Sequence, residues 1–347
     1  MRYKLLGRSG LRVSELCLGT MTFGEDWGWG ANRDECDKML RLFTDAGGNF
    51  IDTANLYTNG TSERLVGELI RANRDHFVLA TKYTLNPRPD DPNAGGNHRK
   101  NLVQSLEASL KRLQTDFIDL YWVHAWDPLT PIDETMRALD DAVRAGKILY
   151  VGISDAPAWI VSQANMLAQL RGWSPFCALQ IQYSLIERTP ERDLLPMAKS
   201  LDLAVTPWGI LGSGVLTGKF EKGKETKGHR LSDVNPNSTR ALSDRNYTIA
   251  AEVKKVAQEI GKTPSQIAVA WLLHQQSRAL IVPILGARKA EQLQDNLAAL
   301  NINLPDQAVA RLNAASEIDL GFPHDFLMNA QGYIYGKTRE RIDNHRE

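Results

Sequence analysis

The chain has 347 residues, of which 43% are hydrophobic and 24% are charged, and its formal net charge at pH 7 is zero. This composition describes a globular protein long enough for a large core, and it gives no sign of a nucleic-acid or membrane partner. Three cysteines without a C-x-x-C pair predict neither a disulfide framework nor a zinc site. The first residues lack the apolar stretch of a signal peptide, so we predict a cytoplasmic location.

Short apolar runs, each followed by an amphipathic stretch, recur along the chain. They span residues 15–19, 49–52, 77–82, 117–124, 147–154, 176–182, 203–208 and 279–285. Most of them lack a clean alternation of apolar and polar residues, as expected for parallel strands that are buried on both faces. Eight strand–helix units favour a closed (β/α)₈ TIM barrel over an open doubly wound sheet.

Three segments stand outside this pattern. Residues 3–14 predict an N-terminal β-hairpin. Residues 219–246 form a long polar connection after the seventh strand, and residues 318–347 form a C-terminal tail. Segments of this length are usually functional lids or disordered, and the sequence does not choose between them. We predict a single barrel domain over residues 1–347, with the hairpin before it.

Polar residues stand at the ends of three consecutive predicted strands. Asp52 ends the second strand, Lys82 the third and His124 the fourth, and Tyr57 lies in the loop after Asp52. In a (β/α)₈ barrel these strand ends meet on one rim, where active sites lie. Singly, the aspartate is often a helix cap and the lysine a surface charge. Four convergent polar groups predict a site instead.

The expected chemistry of this set is proton donation by Tyr57. A phenol titrates near pH 10 and is a weak acid at neutral pH unless its pKa is shifted. An ammonium about 4 Å away contributes roughly 4 kcal/mol at an effective dielectric of about 20, which lowers the phenol pKa by at most about three units before desolvation subtracts from it. Asp52 would keep Lys82 charged and in place. His124 would orient the carbonyl oxygen that receives the proton.

The chain resembles the aldo-keto reductase superfamily along nearly its whole length. The motifs that carry the resemblance are, in order, GRSGLRVSELCLGTMTFG, FIDTANLY, LATK, the histidine after DLYWV, and LGSGVLTGKF. The resemblance implies a (β/α)₈ barrel that transfers hydride between NADP(H) and an aldehyde or ketone. It places the family's catalytic tetrad on Asp52, Tyr57, Lys82 and His124.

The same resemblance implies a set of cofactor contacts. The nicotinamide carboxamide would meet Ser154, Asp155 and Gln180, and many relatives have Asn in place of this Asp. Trp208 would stack on the nicotinamide ring, and Arg288 would pair with the 2′-phosphate, which favours NADPH over NADH. The full implied set is Thr20, Met21, Asp52, Ser154, Asp155, Gln180, Trp208, Gly209, Ile210, Leu211, Gly212, Lys219, Gly286, Arg288, Gln292, Asp295 and Asn296.

Two of these assignments have alternatives. An ionised Asp155 can accept a hydrogen bond from the carboxamide but cannot donate one, so Ser154 or a backbone amide would have to donate. The simpler role for Asp155 is to cap the helix that follows it. Lys289 is the alternative cation for the 2′-phosphate, and the anion would also meet Gly286 and the N-terminus of the next helix.

Aromatic residues in the loops of the same rim predict a substrate mouth. The candidates are Trp27, Trp29, Tyr83 and Trp126, although each could equally serve in packing. No His, Cys or carboxylate stands at ligand spacing from His124, so no metal is predicted. The expected partner is a small carbonyl compound. Nothing in the sequence chooses between a monomer and a homo-oligomer.

Two other functions remain open. Lys82 could form a Schiff base, as lysines of barrel aldolases do, but this leaves Tyr57, Trp208 and Arg288 without a shared purpose. The chain could also be an NADP-sensing regulatory subunit, as the resembling potassium-channel β subunits are. These also retain the tetrad, so the tetrad does not exclude this function. The absence of an obvious docking tail favours an enzyme.

Overall fold

The computed structural model describes residues 1–220 and 242–343. Its strands are β1 Tyr3–Leu5, β2 Arg12–Ser14, β3 Cys17–Gly19, β4 Phe50–Asp52, β5 Val78–Tyr83, β6 Ile118–Val123, β7 Ile148–Ser154, β8 Phe176–Gln182, β9 Ala204–Trp208, β10 Leu280–Ile281 and β11 Ile284–Gly286. Its α-helices are α1 Arg33–Asp45, α2 Thr61–Ile70, α3 Arg99–Leu113, α4 Ile132–Arg144, α5 Ala158–Arg171, α6 Leu194–Ser200, α7 Asp244–Ile260, α8 Pro264–His274, α9 Ala290–Leu297, α10 Asp306–Ala315 and α11 His324–Tyr335.

The strands close into a barrel. Strands β3 to β9 pair in parallel in chain order, and then β9 pairs with β10 while β3 pairs with β11. The two terminal strands are halves of the predicted eighth strand, which is interrupted at Val282 and Pro283. Val282 N–H still donates to Val205 at 2.8 Å, and the Pro283 carbonyl accepts from Cys17 N–H at 2.9 Å. The sheet therefore has no open edge here, and the predicted (β/α)₈ barrel is confirmed.

The barrel interior is packed with side chains, and one end is plugged. Strands β1 and β2 form the predicted antiparallel hairpin, which is confirmed. Leu6 and Val13 of this hairpin belong to the same buried cluster as Trp122 of β6. The ring of Trp122 lies against Gly152 of β7, where an added Cβ would come within 2.4 Å of it. A larger cluster fills the space between the sheet and the surrounding helices.

The structure describes the predicted connection (residues 219–246) and the predicted C-terminal tail (residues 318–347) to different extents. Residues 221–241 lie outside the described residues, so the choice between a functional lid and disorder for the connection 219–246 stays open. Its last part begins helix α7, whose N-cap Ser243 accepts a hydrogen bond from the backbone of Asn246. The predicted tail is partly helical, because it contains α11. Across residues 1–220 and 242–343, no helix combines the length and apolarity that a membrane crossing requires.

Candidate active site

Lys82 is the centre of the site at the carboxyl ends of the strands. Its side chain is fully buried, and its ammonium donates to Asp52 Oδ2 at 2.5 Å, to the Thr53 carbonyl at 2.8 Å and to Tyr57 Oη at 3.0 Å. An ammonium carries three hydrogens and no acceptor, so all of its capacity is used. The oxygen of Tyr57 therefore accepts from Lys82, and the phenolic hydrogen points away from the lysine.

His124 completes the predicted set beside Tyr57. The two ring centroids are 5.9 Å apart and the rings are nearly perpendicular. Nδ1 of His124 is buried and has no hydrogen-bond partner among the described residues. Burial, together with the charge of Lys82, holds the pKa of His124 well below its ordinary value, so the imidazole is neutral at neutral pH. A neutral ring with Nδ1 unprotonated can donate from Nε2 to a substrate oxygen.

The predicted lowering of the Tyr57 pKa is not the net result. Burial raises the pKa of Tyr57, and this outweighs the lowering by Lys82; Asp52 and Asp155 also act to raise it. For Lys82, burial acts to lower the pKa, but Asp52 and Tyr57 reverse the sign and the net pKa is raised. The charge of Lys82 could be predicted from the sequence, but the degree of burial of Tyr57 could not. Tyr57 is thus a protonated acid and Lys82 a charged donor at neutral pH.

The turn that presents Tyr57 depends on Thr58, which the sequence had not singled out. Thr58 is fully buried and has φ 45° and ψ 46°, a left-handed conformation that is unusual for a β-branched residue. Its hydroxyl donates to the Phe23 carbonyl at 2.7 Å and accepts from Ser62 N–H at 2.9 Å, in the first turn of α2. The only sequence signal was a β-branched residue directly before the turn-forming Asn59-Gly60.

Ser154 and Gln180, the predicted carboxamide contacts, both lie beside the tetrad. The hydroxyl oxygen of Ser154 is buried and forms no hydrogen bond of normal geometry in the part of the chain that the structure describes, although it acts to lower the pKa of the neighbouring Asp155. Nε2 of Gln180 donates to Asp52 Oδ1 at 3.0 Å, opposite the oxygen that holds Lys82. Asp52 therefore joins the lysine to strand β8. The buried Ser154 hydroxyl is therefore able to bond a ligand group at this end of the strand.

Asp155 ends strand β7 and does not cap the next helix. Helix α5 begins at Ala158 with Pro157 in the cap position, so the alternative role for Asp155 is wrong. Asp155 has φ 45°, and its Oδ1 accepts a hydrogen bond of 3.1 Å from the indole N–H of Trp208. Trp208, the predicted stacking residue, is thereby held by a carboxylate.

The loop after β9 offers backbone amides, as predicted. The N–H groups of Ile210 and Leu211 donate to no acceptor within residues 1–220 and 242–343. Gly212 N–H is used locally, donating to the Gly209 carbonyl at 2.8 Å. Gly209 and Gly212 both have positive φ, which glycine adopts without strain. Lys219 is exposed near this loop, with its ammonium 5.2 Å from the centroid of the Phe220 ring.

At the predicted adenosine end, the cation is available, and the first amide of the following helix is bonded to a carboxylate of the protein. Arg288 is half-buried, and its guanidinium forms no hydrogen bond or ion pair with the described residues. Its backbone N–H donates to Gln292 Oε1 at 3.0 Å. The first N–H of α9, on Ala290, donates to the carboxylate of Glu35 at 2.6 Å. Glu35 thus uses one amide at the helix N-terminus, and the predicted phosphate contact there stays a prediction.

The structure also places three other predicted contacts at this end. Asp295 accepts hydrogen bonds from the side chains of Thr263 and Gln266, at the capped start of α8. Asn296 is buried. Gly286 is exposed at the end of β11, and an added Cβ would meet nothing within 4 Å.

Two residues of the predicted site, the mouth candidate Tyr83 and the cofactor contact Thr20, are fully buried. Tyr83 is fully buried, stacks on Tyr121 at 5.3 Å and donates to the Asn97 carbonyl at 3.3 Å, so its predicted place at the substrate mouth is wrong. Lys82 points into the barrel, and its neighbour in a strand must point to the other face. Thr20 is also fully buried and donates to the Asp52 carbonyl at 3.0 Å, so its side chain serves the fold.

The remaining mouth residues are partly exposed on the rim. Trp27 and Trp29 form an aromatic pair with centroids 5.5 Å apart, and Trp27 Nε1 donates to Asn59 Oδ1 at 3.4 Å. Trp126 follows His124 closely, and its backbone N–H donates to the Asp155 carbonyl at 3.4 Å. Met21 is half-buried.

Comparison with known proteins gives a consistent set of similar chains. The model of the Aldo/keto reductase family matches residues 15–317. Norsolorinic acid reductase of Aspergillus flavus is 39% identical, over 97% of this chain and 87% of the relative. An aryl-alcohol dehydrogenase of Pestalotiopsis microspora is 40% identical, over 94% and 85%. Aryl-alcohol dehydrogenase [NADP(+)] of Phanerodontia chrysosporium is 38% identical, over 91% and 86%.

Proposed function

The chain belongs to the aldo/keto reductase family and is an oxidoreductase of carbonyl compounds, and we propose that it catalyses the reversible, NADPH-dependent reduction of aldehydes and ketones to alcohols. One observation carries the proposal. Lys82 donates its three hydrogens to Asp52, Thr53 and Tyr57. The phenolic proton of Tyr57 is therefore available to a substrate.

Three features of the described residues fit NADPH. The buried hydroxyl of Ser154 suits the carboxamide, and the free N–H groups of Ile210 and Leu211 suit the pyrophosphate. The free guanidinium of Arg288 suits a 2′-phosphate, and one relative carries NADP(+) in its name. When bound there, NADPH supplies the hydride that the carbonyl carbon accepts.

The residues of the tetrad act on the carbonyl oxygen. His124, neutral because of its lowered pKa, donates a hydrogen bond to this oxygen and orients it. Tyr57 gives the oxygen a proton as negative charge develops there. Lys82 stabilises the phenolate that remains, and Asp52 holds the ammonium. In the reverse direction the phenolate takes the proton back from the alcohol.

The substrate class that fits the mouth is an aromatic aldehyde or ketone. Trp27, Trp29 and Trp126 offer flat apolar faces on the rim, and such faces suit an aromatic ring. The names of the relatives, norsolorinic acid reductase and aryl-alcohol dehydrogenase, point to the same class. The cytoplasmic location and the choice between monomer and homo-oligomer stay predictions from the sequence.

The geometry disfavours the Schiff-base alternative. A lysine nucleophile must lose a proton, but the pKa of Lys82 is raised by Asp52 and Tyr57 despite its burial. Its three hydrogens are also all bonded inside the protein. The NADP-sensing alternative shares the whole site with the enzyme, so only a turnover measurement separates these two functions.

The test combines binding with turnover. NADPH binding is followed by cofactor fluorescence, and oxidation of NADPH by absorbance with an activated aromatic aldehyde, for the unaltered chain, for Tyr57→Phe and for the exposed control Tyr333→Phe. We expect turnover to fall by about 10²- to 10⁴-fold in Tyr57→Phe alone, while binding survives. Binding without turnover across a panel of carbonyls would favour the sensor. Absence of binding would exclude the proposed cofactor.

A further inference from the structure

The carboxylate of Asp155 has no part in the proton transfer, yet its position is tightly fixed. Its φ of 45° is uncommon for a residue other than glycine and persists only where the surroundings enforce it. Its backbone N–H donates to the Gln180 carbonyl at 3.1 Å, and its own carbonyl accepts from Trp126 N–H at 3.4 Å. Backbone hydrogen bonds thus fix Asp155 to strand β8 on one side and to the loop after β6 on the other.

The charge of this carboxylate is not neutralised by an ion pair. Asp52, the other acidic group of the site, is bonded directly to the Lys82 ammonium. Asp155 instead accepts from the neutral indole N–H of Trp208, and it forms no salt bridge within residues 1–220 and 242–343. A donor of this kind stabilises the anion without cancelling its charge.

Asp155 also acts on the catalytic groups through space. Burial is the largest effect on Asp155 and raises its net pKa, while the Trp208 hydrogen bond, the charge of Lys82 and the Ser154 hydroxyl act in the opposite direction and favour the anion. Asp155 in turn adds to the effects that raise the pKa of Tyr57. Its field therefore reaches the space where the carbonyl and the nicotinamide would meet.

We propose that Asp155 makes the site prefer the oxidised cofactor NADP⁺ over NADPH. The nicotinamide ring is a cation when oxidised and neutral when reduced, and the two forms are otherwise nearly alike in shape and phosphates. Trp208, the proposed stacking partner of that ring, is bonded to the Asp155 carboxylate, so the negative charge would lie close to a ring that stacks there. This inference rests on the proposed function, and it adds that the site binds NADP⁺ more tightly than NADPH.

The test is the ratio of two dissociation constants in the chain with Asp155→Asn. Asparagine tolerates the left-handed conformation, keeps an oxygen to accept from Trp208 and removes only the charge. Titration by fluorescence gives Kd for NADP⁺ and for NADPH. Because both cofactors carry the same phosphates, their phosphate contacts cancel in the ratio Kd(NADP⁺)/Kd(NADPH).

We expect this ratio to rise about tenfold in Asp155→Asn, equivalent to about 1.4 kcal/mol, with little change in Kd for NADPH. The control Asp90→Asn, an exposed carboxylate on a loop of the same rim, should leave the ratio unchanged. Asp155→Gly, which accepts positive φ without strain, is the second uncharged variant should the first fail to fold.

The outcomes separate this inference from the proposed function. A ratio that stays constant while both cofactors bind overturns the inference alone. An equal loss of both affinities also overturns it, because Asp155 would then act only by holding Trp208. Failure of the unaltered chain to bind either cofactor overturns the proposed function and the inference with it.

Discussion

The Lys82 ammonium and the Tyr57 phenol are joined by a hydrogen bond of 3.0 Å in which the lysine donates. Since the lysine has no free hydrogen left and the phenol oxygen is the acceptor, the direction of the tyrosine proton is fixed toward the open side of the site. The buried pair Lys82–Asp52 holds this arrangement, with both side chains almost fully removed from solvent.

Removing one member of this buried ion pair should cost more stability than removing both. Lys82→Met leaves the Asp52 carboxylate buried without its countercharge, and we expect the free energy of unfolding to fall by about 3–5 kcal/mol. Asp52→Asn combined with Lys82→Met should recover part of that loss. Urea unfolding followed by circular dichroism measures both. A double variant less stable than Lys82→Met would contradict the argument.

Thr58 should matter to turnover through its hydroxyl. Thr58→Val keeps the β-branched shape but leaves the Phe23 carbonyl and Ser62 N–H without their partner, and we expect stability to fall by about 1–3 kcal/mol. Because the turn presents Tyr57, kcat should also fall by at least about tenfold, with KM changed less. Thr58→Ser keeps the hydroxyl and should restore kcat. Equal kcat in the Val and Ser variants would show that the hydroxyl does not position Tyr57.

Gly152 should resist even the smallest side chain. An added Cβ would lie 2.4 Å from the fully buried ring of Trp122, where the packed barrel interior leaves the ring no room. We expect Gly152→Ala to lower the free energy of unfolding by about 1–3 kcal/mol. Gly10→Ala, whose Cβ would meet nothing within 4 Å, is the matched control and should change stability little. Equal stability of the two variants would refute this account of the barrel interior.

His124 should make the fold less stable in mild acid. Its pKa in the native chain is held well below 6.5 by burial and by Lys82, whereas in the unfolded chain it takes up a proton near its ordinary value. As pH falls below about 6.5, the unfolded state therefore binds more protons and stability is lost, by up to about 1.4 kcal/mol per pH unit.

Comparing urea unfolding at pH 7 and in mild acid tests this linkage. Other groups also titrate in that range, so the informative quantity is the difference between variants. His124→Gln should show a smaller loss of stability on acidification than the unaltered chain. His76→Gln, at an exposed position, should behave like the unaltered chain. If all three lose the same stability, His124 is not the group responsible.

The barrel and its tetrad could be predicted from the sequence because both depend on local pattern. Parallel strands buried on both faces are short apolar runs, and polar residues that end such runs stand out, as Asp52 and Lys82 do. Tyr83 was misplaced although the strand period of two residues already assigned it to the face opposite Lys82. The strand period was therefore a sufficient signal for Tyr83, and its position near the rim was given too much weight in the prediction.

Other features depend on contacts that no local pattern carries. Glu35 occupies the N-terminus of α9 from a helix at the opposite end of the chain, through its bond to Ala290. The net rise in the Tyr57 pKa depends on how deeply the ring is buried, which outweighs the Lys82 charge. Both features exist only in the assembled barrel. Charges and spacing alone therefore predicted the wrong direction for the Tyr57 pKa and did not indicate the Glu35–Ala290 hydrogen bond.

The broken eighth strand has a consequence for how the chain is made. Cys17 in the first barrel strand pairs with Ile284 in β11, so on the ribosome the early strand has to wait for nearly the whole chain to emerge before that edge is covered. Unpaired strand edges on a nascent chain invite association with other chains.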